Sequence, residues 1–292
     1  MKSGYIGLIG RPNVGKSTLL NHLIGQKISI TSRKPQTTRH RILGIKSCPD
    51  GQAIYVDTPG LHRDGKKALN RYLNRTAKNL LCGVDLILWV TDLARWHGED
   101  SSILALLEKS GIPVIFVINK IDRIEPKDVC LSFIREADQR FRFLSIVPVS
   151  AVRGTNLDRL EHDILQALPD RDPVFPEDQI SDRSERFFAG EIIREKLVRR
   201  LTKELPYELS VGIERFIEEE KLVTIHAVVW VERESQKSIV IGKDGAVLKS
   251  IGQKSREDLE KMVQKKVFLQ LWVKIKRGWS DNEKALRSLG YE

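Results

Sequence analysis

The sequence predicts an α/β domain, its mostly parallel sheet covered by helices on both faces, followed by a smaller α+β domain. Three observations carry this. Short apolar runs alternate with helix-length segments up to about residue 168, and wholly apolar central strands belong to sheets buried on both faces. Three prolines within the charged stretch from Pro169 to Pro176 then break the pattern, as exposed linkers do. Beyond them the order becomes helix, strand, strand, helix, Gly-x-x-Gly turn, helix, strand. At 292 residues the chain can hold two cores, since domains commonly have about 100–200 residues. The expected division is 1–170, a linker at 171–183, a second domain at 184–280 and a tail at 281–292.

In the first domain Tyr5–Ile9 reads as a strand and Thr18–Ile24 as a helix. Residues 28–44 are polar and basic. Ile42–Ile45 and Ala53–Val56 bracket a Pro49-Asp50-Gly51 turn and form an antiparallel hairpin. Residues 61–67 are charged, and 68–82 have helical spacing through Leu69, Leu73 and Leu80. Leu86–Val90, Pro113–Ile118 and Ile146–Val149 are the remaining strands. Helices fall at Ile103–Leu107, Val129–Phe141 and Leu157–Leu168. In the second domain Phe187–Leu205 is an amphipathic helix with Ile193, Leu197 and Leu201 on one face. Val211–Ile217 and Val223–Val231 are paired strands. Two helical pieces meet at Gly242, and Val267–Ile275 is the last strand.

Composition is that of an ordinary soluble protein, 41% hydrophobic and 30% charged, but the net charge of +10 suggests a polyanionic partner. Much of the excess is local. Between Lys237 and Arg277 eleven basic residues face four acidic ones, a net +7. Cys48, Cys82 and Cys130 fit neither a zinc spacing nor a disulfide framework and read as reduced, buried thiols. No apolar run approaches the roughly 18 residues of a membrane span. With the first strand close to Met1 and no room for a presequence, a cytoplasmic location is expected.

Gly10–Ser17, GRPNVGKS, fits G-x-x-x-x-G-K-[ST], a loop that cradles phosphates between a strand and a helix N-terminus. Gly10 and Gly15 free the backbone to converge its N–H groups on anionic oxygens. Lys16 would sit on the β/γ-phosphates, and Ser17 would hold Mg²⁺. Asn13, Val14 and Thr18 complete the expected nucleotide contacts. Asp57-Thr58-Pro59-Gly60 ends a strand, where Asp57 could anchor the metal's hydration shell and the Gly60 N–H could meet the γ-phosphate. Asn119-Lys120-Ile121-Asp122 ends another. A carboxylate at 122 accepts from guanine N1–H and its 2-amino group, and adenine offers neither donor. Asn119 could bond the purine edge and the phosphate loop, while the Lys120 stem packs on the base. After the last strand Ser150-Ala151 could give the Ala151 N–H to the guanine oxygen. Ligands of such sheets sit at the carboxyl ends of strands, and every one of these motifs falls at such an end.

In this order GRPNVGKS, DTPG, NKID and SA resemble the small GTPase class, a P-loop GTPase fold with GTP/GDP and Mg²⁺. The resemblance implies a switch threonine that closes on the metal. Thr37 and Thr38 lie at the matching place, and Thr38 is favoured. Lys16, Thr38 and Gly60 are then the expected catalytic set. Leu61 stands where Ras-like enzymes carry a water-orienting glutamine, so slow hydrolysis is expected. His62 is an alternative base, although a lone loop histidine is more often solvated. In potassium-dependent relatives an asparagine at the place of Asn13 helps bind a monovalent cation, which makes K⁺ a further candidate cofactor.

Ile239-Val240-Ile241-Gly242-Lys243-Asp244-Gly245, followed by Leu248-Lys249-Ser250-Ile251-Gly252, resembles a KH domain of the second topological type. Such a turn clamps about four unpaired nucleotides. Ile239, Ile241, Gly242, Lys243, Asp244, Gly245 and Lys249 are the expected RNA contacts. A GTPase followed by this module, with KPQTTRHRI and DTPGLH in its switches, resembles the Era family over about residues 3–280. The family implies binding to the 3′ end of small-subunit ribosomal RNA, assistance in small-subunit maturation and peripheral contact with the inner membrane. DNA is not an expected partner. A GTPase acting in RNA modification and a scaffold with a protein-binding second domain remain alternatives.

Overall fold

A computed structural model describes all residues except 33, 35, 36, 58, 60–67, 70, 71, 73–82, 127, 203, 204 and 292. These fall into two compact units. One holds the described residues of Met1–Thr31, Thr38–Leu61 and Leu73–Asp182; the other holds those of Ser32–Thr37, His62–Tyr72 and Arg183–Glu292.

The first unit is a six-stranded sheet of β1 (Lys2–Ile9), β2 (Ile42–Cys48), β3 (Gly51–Asp57), β4 (Leu86–Asp92), β5 (Val114–Asn119) and β6 (Ser145–Pro148), in the order β2-β3-β1-β4-β5-β6. Only β2 runs antiparallel, paired with β3 as the hairpin pattern predicts. The helices are α1 (Lys16–Ile24), α2 (Gly98–Ser110), α3 (Asp128–Arg140) and α4 (Leu157–Ala167). Every residue of β3 and β5 is buried, so Ala53–Val56 and Val114–Ile118 read as continuous apolar runs without alternation. Around β4 and β5 the core is aromatic: Trp89 lies 4.8 Å from Phe116 between ring centroids, and Phe116 stacks on Trp96 and Phe143.

In the second unit β7 (Ser210–Glu218), β8 (Leu222–Val231) and β9 (Lys266–Ile275) form a sheet, β7 antiparallel and β9 parallel to β8. Helices α5 (Glu185–Arg200), α6 (Glu234–Ile241) and α7 (Ala246–Val263) supply Ile193, Leu197, Val240 and Ile251 to a core with Ala227, Val229 and Val273. This is the predicted helix–strand–strand–helix–helix–strand order. α5 stops at Arg200, short of the expected Leu205, which enters a separate turn, Leu205–Tyr207.

Three expectations change. Most of the segment 171–183 has exposed side chains, but it is no free linker. Gln52 Oε1 accepts from the Val174 and Phe175 N–H groups at 2.8 and 3.0 Å, and Ile45 N–H donates to the Ile180 carbonyl at 2.8 Å. The open edge of β2 binds the backbone there, as unpaired strand edges tend to. The tail also packs. After α8 (Glu283–Ser288), Tyr291 is buried against Trp279, 6.1 Å between ring centroids. Cys48 and Cys130 are free but only half-buried, because each sits at the end of its element. Cys82 and most of the helix expected over 68–82 lie outside the described residues.

Candidate nucleotide and RNA sites

The loop from β1 to α1 has the backbone its glycines allow. Gly10 (φ 145°), Asn13 (φ 66°) and Gly15 (φ 102°) all have positive φ. A Cβ at Gly10 would collide with the Val90 carbonyl, and one at Gly15 with the Asn119 amide. Lys16 folds over the loop and donates to the Gly10 and Arg11 carbonyls at 2.7 and 2.8 Å. Burial lowers the pKa of its ammonium to about 8, against the pull of Asp57.

The candidate metal ligands converge. Ser17 Oγ lies 3.1 Å from Thr38 Oγ1 and donates to Asp57 Oδ2 at 3.3 Å, while Thr38 Oγ1 donates to the same oxygen at 3.4 Å. Thr37 is placed elsewhere, its hydroxyl donating to the Lys34 carbonyl at 2.6 Å, so of the two threonines it is Thr38 whose hydroxyl lies beside Ser17 and Asp57. Asp57 is fully buried, and burial raises its pKa despite hydrogen bonds from Ser29, Ser17 and Thr38. Its Oδ1 has no hydrogen-bond partner among the described residues. Two hydroxyls and a buried carboxylate with an unsatisfied oxygen suit a hard cation such as Mg²⁺. Val14 is buried, and Thr18 lies in the first turn of α1. Gly60, Leu61 and His62 lie outside the described residues.

At the ends of β5 and β6 the base-reading residues meet the loop. Asn119 Nδ2 donates to the Val14 carbonyl at 2.8 Å, joining the two motifs as expected. Lys120 donates to the Asn13 carbonyl at 2.7 Å. Ser150 Oγ donates to Asp122 Oδ1 at 2.6 Å, and that hydrogen bond holds the Asp122 carboxyl below the usual range. The Ala151 N–H, the expected donor to the guanine oxygen, here donates to Asn119 Oδ1 at 3.0 Å. The Asn119 carboxamide is buried, so its oxygen takes the nearest donors, Ala151 N–H and Lys120 N–H.

Sequence reasoning misses four side chains that brace this site. Ser29 Oγ donates to Asp57 Oδ2 at 2.8 Å. Asp92 accepts from Lys120 at 2.7 Å and from Arg11 at 3.1 Å, and Arg11 also reaches Asp100 at 3.0 Å. Among these only Asp92 carried a legible signal, as an acid at the carboxyl end of an apolar strand.

In the second unit Gly242 (φ 75°) and Gly245 (φ 75°) bracket Lys243 and Asp244, both exposed. A Cβ at Gly242 would run into Val247 at the start of α7. Beside this turn a groove of about 560 Å³ is lined by Gly245, Leu248, Lys249, Arg256, Leu269 and Leu271 among others. Ile239 is exposed, at 57%. Ile241 is half-buried and packs against the core of the second unit.

Comparison with known proteins agrees with this division. A 50S ribosome-binding GTPase family model matches residues 5–120, and a KH domain model matches 204–280. The chain is similar to GTPase Era of Pseudomonas aeruginosa strain LESB58, 54% identical over 99% of this chain and 95% of the relative. The corresponding protein of Stenotrophomonas maltophilia strain K279a is 52% identical over 99% and 97%. Among solved structures, an Era variant of Aquifex aeolicus bound to GDP·AlF4⁻ matches with TM-score 0.95 and 40% identity, covering 100% of this chain and 99% of that one. An Era complex with MgGDPNP and nucleotides 1506–1542 of 16S ribosomal RNA matches with the same values. The 50S ribosome-binding family matches residues 5–120 only; the full-length matches, spanning both units, are the more specific.

Proposed function

The chain belongs to the Era family of GTPases, and on that premise we propose a GTP-driven switch that binds 16S rRNA near its 3′ end and assists small-subunit maturation. The observation that carries this is the convergence of Ser17, Thr38 and Asp57 beside Lys16, with Asp122 held in place by Ser150. Lys16 would exchange its two carbonyl partners for β/γ-phosphate oxygens. Ser17, Thr38 and Asp57 would hold Mg²⁺, which when bound offsets charge developing on the phosphates. The ionised Asp122 would accept from guanine, and the Gly60 N–H would meet the γ-phosphate.

Coupling to RNA would begin at Ser32, Lys34 and Thr37, the described residues of this stretch, which group with the second unit. Lys34 donates to the Val198 and Leu201 carbonyls at the end of α5, and the buried Arg194, paired with Glu191, donates to the Thr37 carbonyl. Thr38, the next residue, belongs to the nucleotide unit. A ligand moves such an equilibrium only through differential affinity. The test is binding of 16S 3′-end oligonucleotides to the protein with a GTP analogue, GDP or no nucleotide. Affinities that differ between the GTP and GDP forms support the switch, and identical ones remove it.

Asn13 is read as a K⁺ ligand beside the phosphates, and equal turnover in K⁺ and Na⁺ would remove that role. Peripheral association with the inner membrane face rests on the family resemblance alone. No helix of the described residues is long and apolar enough to cross a membrane, so flotation with anionic vesicles is its test.

A further inference from the structure

β9 carries an alternation that the GTPase and the Gly-x-x-Gly turn leave unused. Val267, Leu269, Leu271 and Val273 pack toward the helices. The intervening side chains, Lys266, Phe268, Gln270, Trp272 and Lys274, therefore point to the opposite face of the sheet. A solvated face is ordinarily polar, yet Phe268 is 49% exposed and Trp272 38%. On β8, His226 stands opposite Gln270 and Trp230 opposite Lys274. His226 meets Trp272 edge-on at 5.3 Å between ring centroids. Lys274 and Lys276 each bring Nζ to 5.8 Å from the Trp230 ring centre. Arg215 of β7, in register with His226, extends the basic rim. Among the described residues the acid bonded to this rim is Glu214, which reaches Lys274 at 2.8 Å in a half-exposed pair of a kind that contributes little.

We propose that this open sheet face is a second RNA-binding surface, on which a single strand stacks its bases against Phe268 and Trp272 while Lys266, Lys274, Lys276 and Arg215 follow its phosphates. Exposed rings set among lysines match the chemistry of unpaired strands, because every base offers a π-face and every linkage a negative charge. A purely apolar partner would leave the lysine rim desolvated without counter-charges. The surface lies across the sheet from the helices that carry the Gly-x-x-Gly turn, so a strand longer than the turn can clamp could engage both. The inference rests on the proposed RNA-binding function and extends it to a second site.

The test compares a four-nucleotide RNA, sized for the turn alone, with a single strand of about 20 nucleotides. Phe268→Ala with Trp272→Ala should weaken the long strand by about 5- to 150-fold for each ring that stacks a base and leave the short one unchanged. Lys266→Glu with Lys276→Glu, which keeps the rings, should weaken the long strand and flatten its salt dependence. With Gly242→Asp, which blocks the turn, the long strand should still quench tryptophan fluorescence, and adding Trp272→Ala should remove most of that quenching. Unchanged long-strand affinity in both double variants, with melting temperature and GTP hydrolysis intact, overturns the second surface while sparing the turn. A wild-type protein that binds neither RNA overturns the RNA-binding reading as well. Sedimentation showing a dimer that Trp272→Ala dissociates would assign the face to a second copy of the chain instead.

Discussion

The two phosphate-directed turns begin alike and end differently. Each places positive-φ glycines just before a helix, Gly10 and Gly15 before α1 and Gly242 and Gly245 before α7. Around the first, side chains brace one another and the loop backbone: Asn119 bonds the Val14 carbonyl, Lys120 bonds the Asn13 carbonyl and Asp92, and Ser150 bonds Asp122. Around the second, Lys243, Asp244 and Lys249 stand exposed beside an open apolar groove. Braced donors and acceptors discriminate between ligands, because a wrong base leaves a group unpaired. Loose charges over an apolar floor give affinity with little discrimination and strong dependence on salt.

The largest expected effect strikes the braced site alone. Asp122→Asn should lower guanine nucleotide affinity by about 10³-fold or more and leave RNA binding without nucleotide unchanged. Xanthine nucleotides, whose 2-oxo group accepts where guanine donates, should recover binding, and calorimetry with the two bases checks this. Next comes salt. For a strand held at about four phosphates, raising salt from about 50 to 200 mM should weaken RNA binding roughly 50-fold, while GDP affinity moves by less than about threefold. Equal sensitivity would break the contrast. The smallest effect is on acidity. Ser150→Ala removes the main cause that depresses the Asp122 pKa. Guanine binding, present while that carboxyl is ionised and lost as pH falls through its pKa, should then fail at a higher pH than in the wild type. At neutral pH the affinity should change by no more than a few-fold.

The same contrast marks what the sequence makes legible. Gly10, Lys16, Asp57, Asn119 and Asp122 can be read because each lies in a short motif at the end of a strand, where the chain itself sets the spacing. Their supports cannot. Ser29 reaches Asp57 across 28 residues and Arg11 reaches Asp100 across 89, and no local pattern encodes such a meeting. Ser150 is marked by its place in Ser150-Ala151 after the last strand, but that its hydroxyl bonds Asp122 comes only with the fold. In the second unit the period of β9 predicts a strand but not which face the helices take, so the exposure of Phe268 and Trp272 comes only with the fold. The segment 171–183 misleads for a related reason. Its prolines and charges describe side chains that mostly face water, while the Val174 and Phe175 N–H groups donate to Gln52 of β3 and the Ile180 carbonyl accepts from Ile45 of β2.

Thr37 and Thr38 are neighbours in sequence with different allegiances: Arg194 grips the carbonyl of one, and Asp57 accepts from the hydroxyl of the other. A trans peptide fixes their Cα atoms about 3.8 Å apart, so in the proposed switch a single peptide unit joins the two contacts. Inserting a single glycine between the two threonines should therefore silence the conversation between nucleotide and RNA while leaving each able to bind.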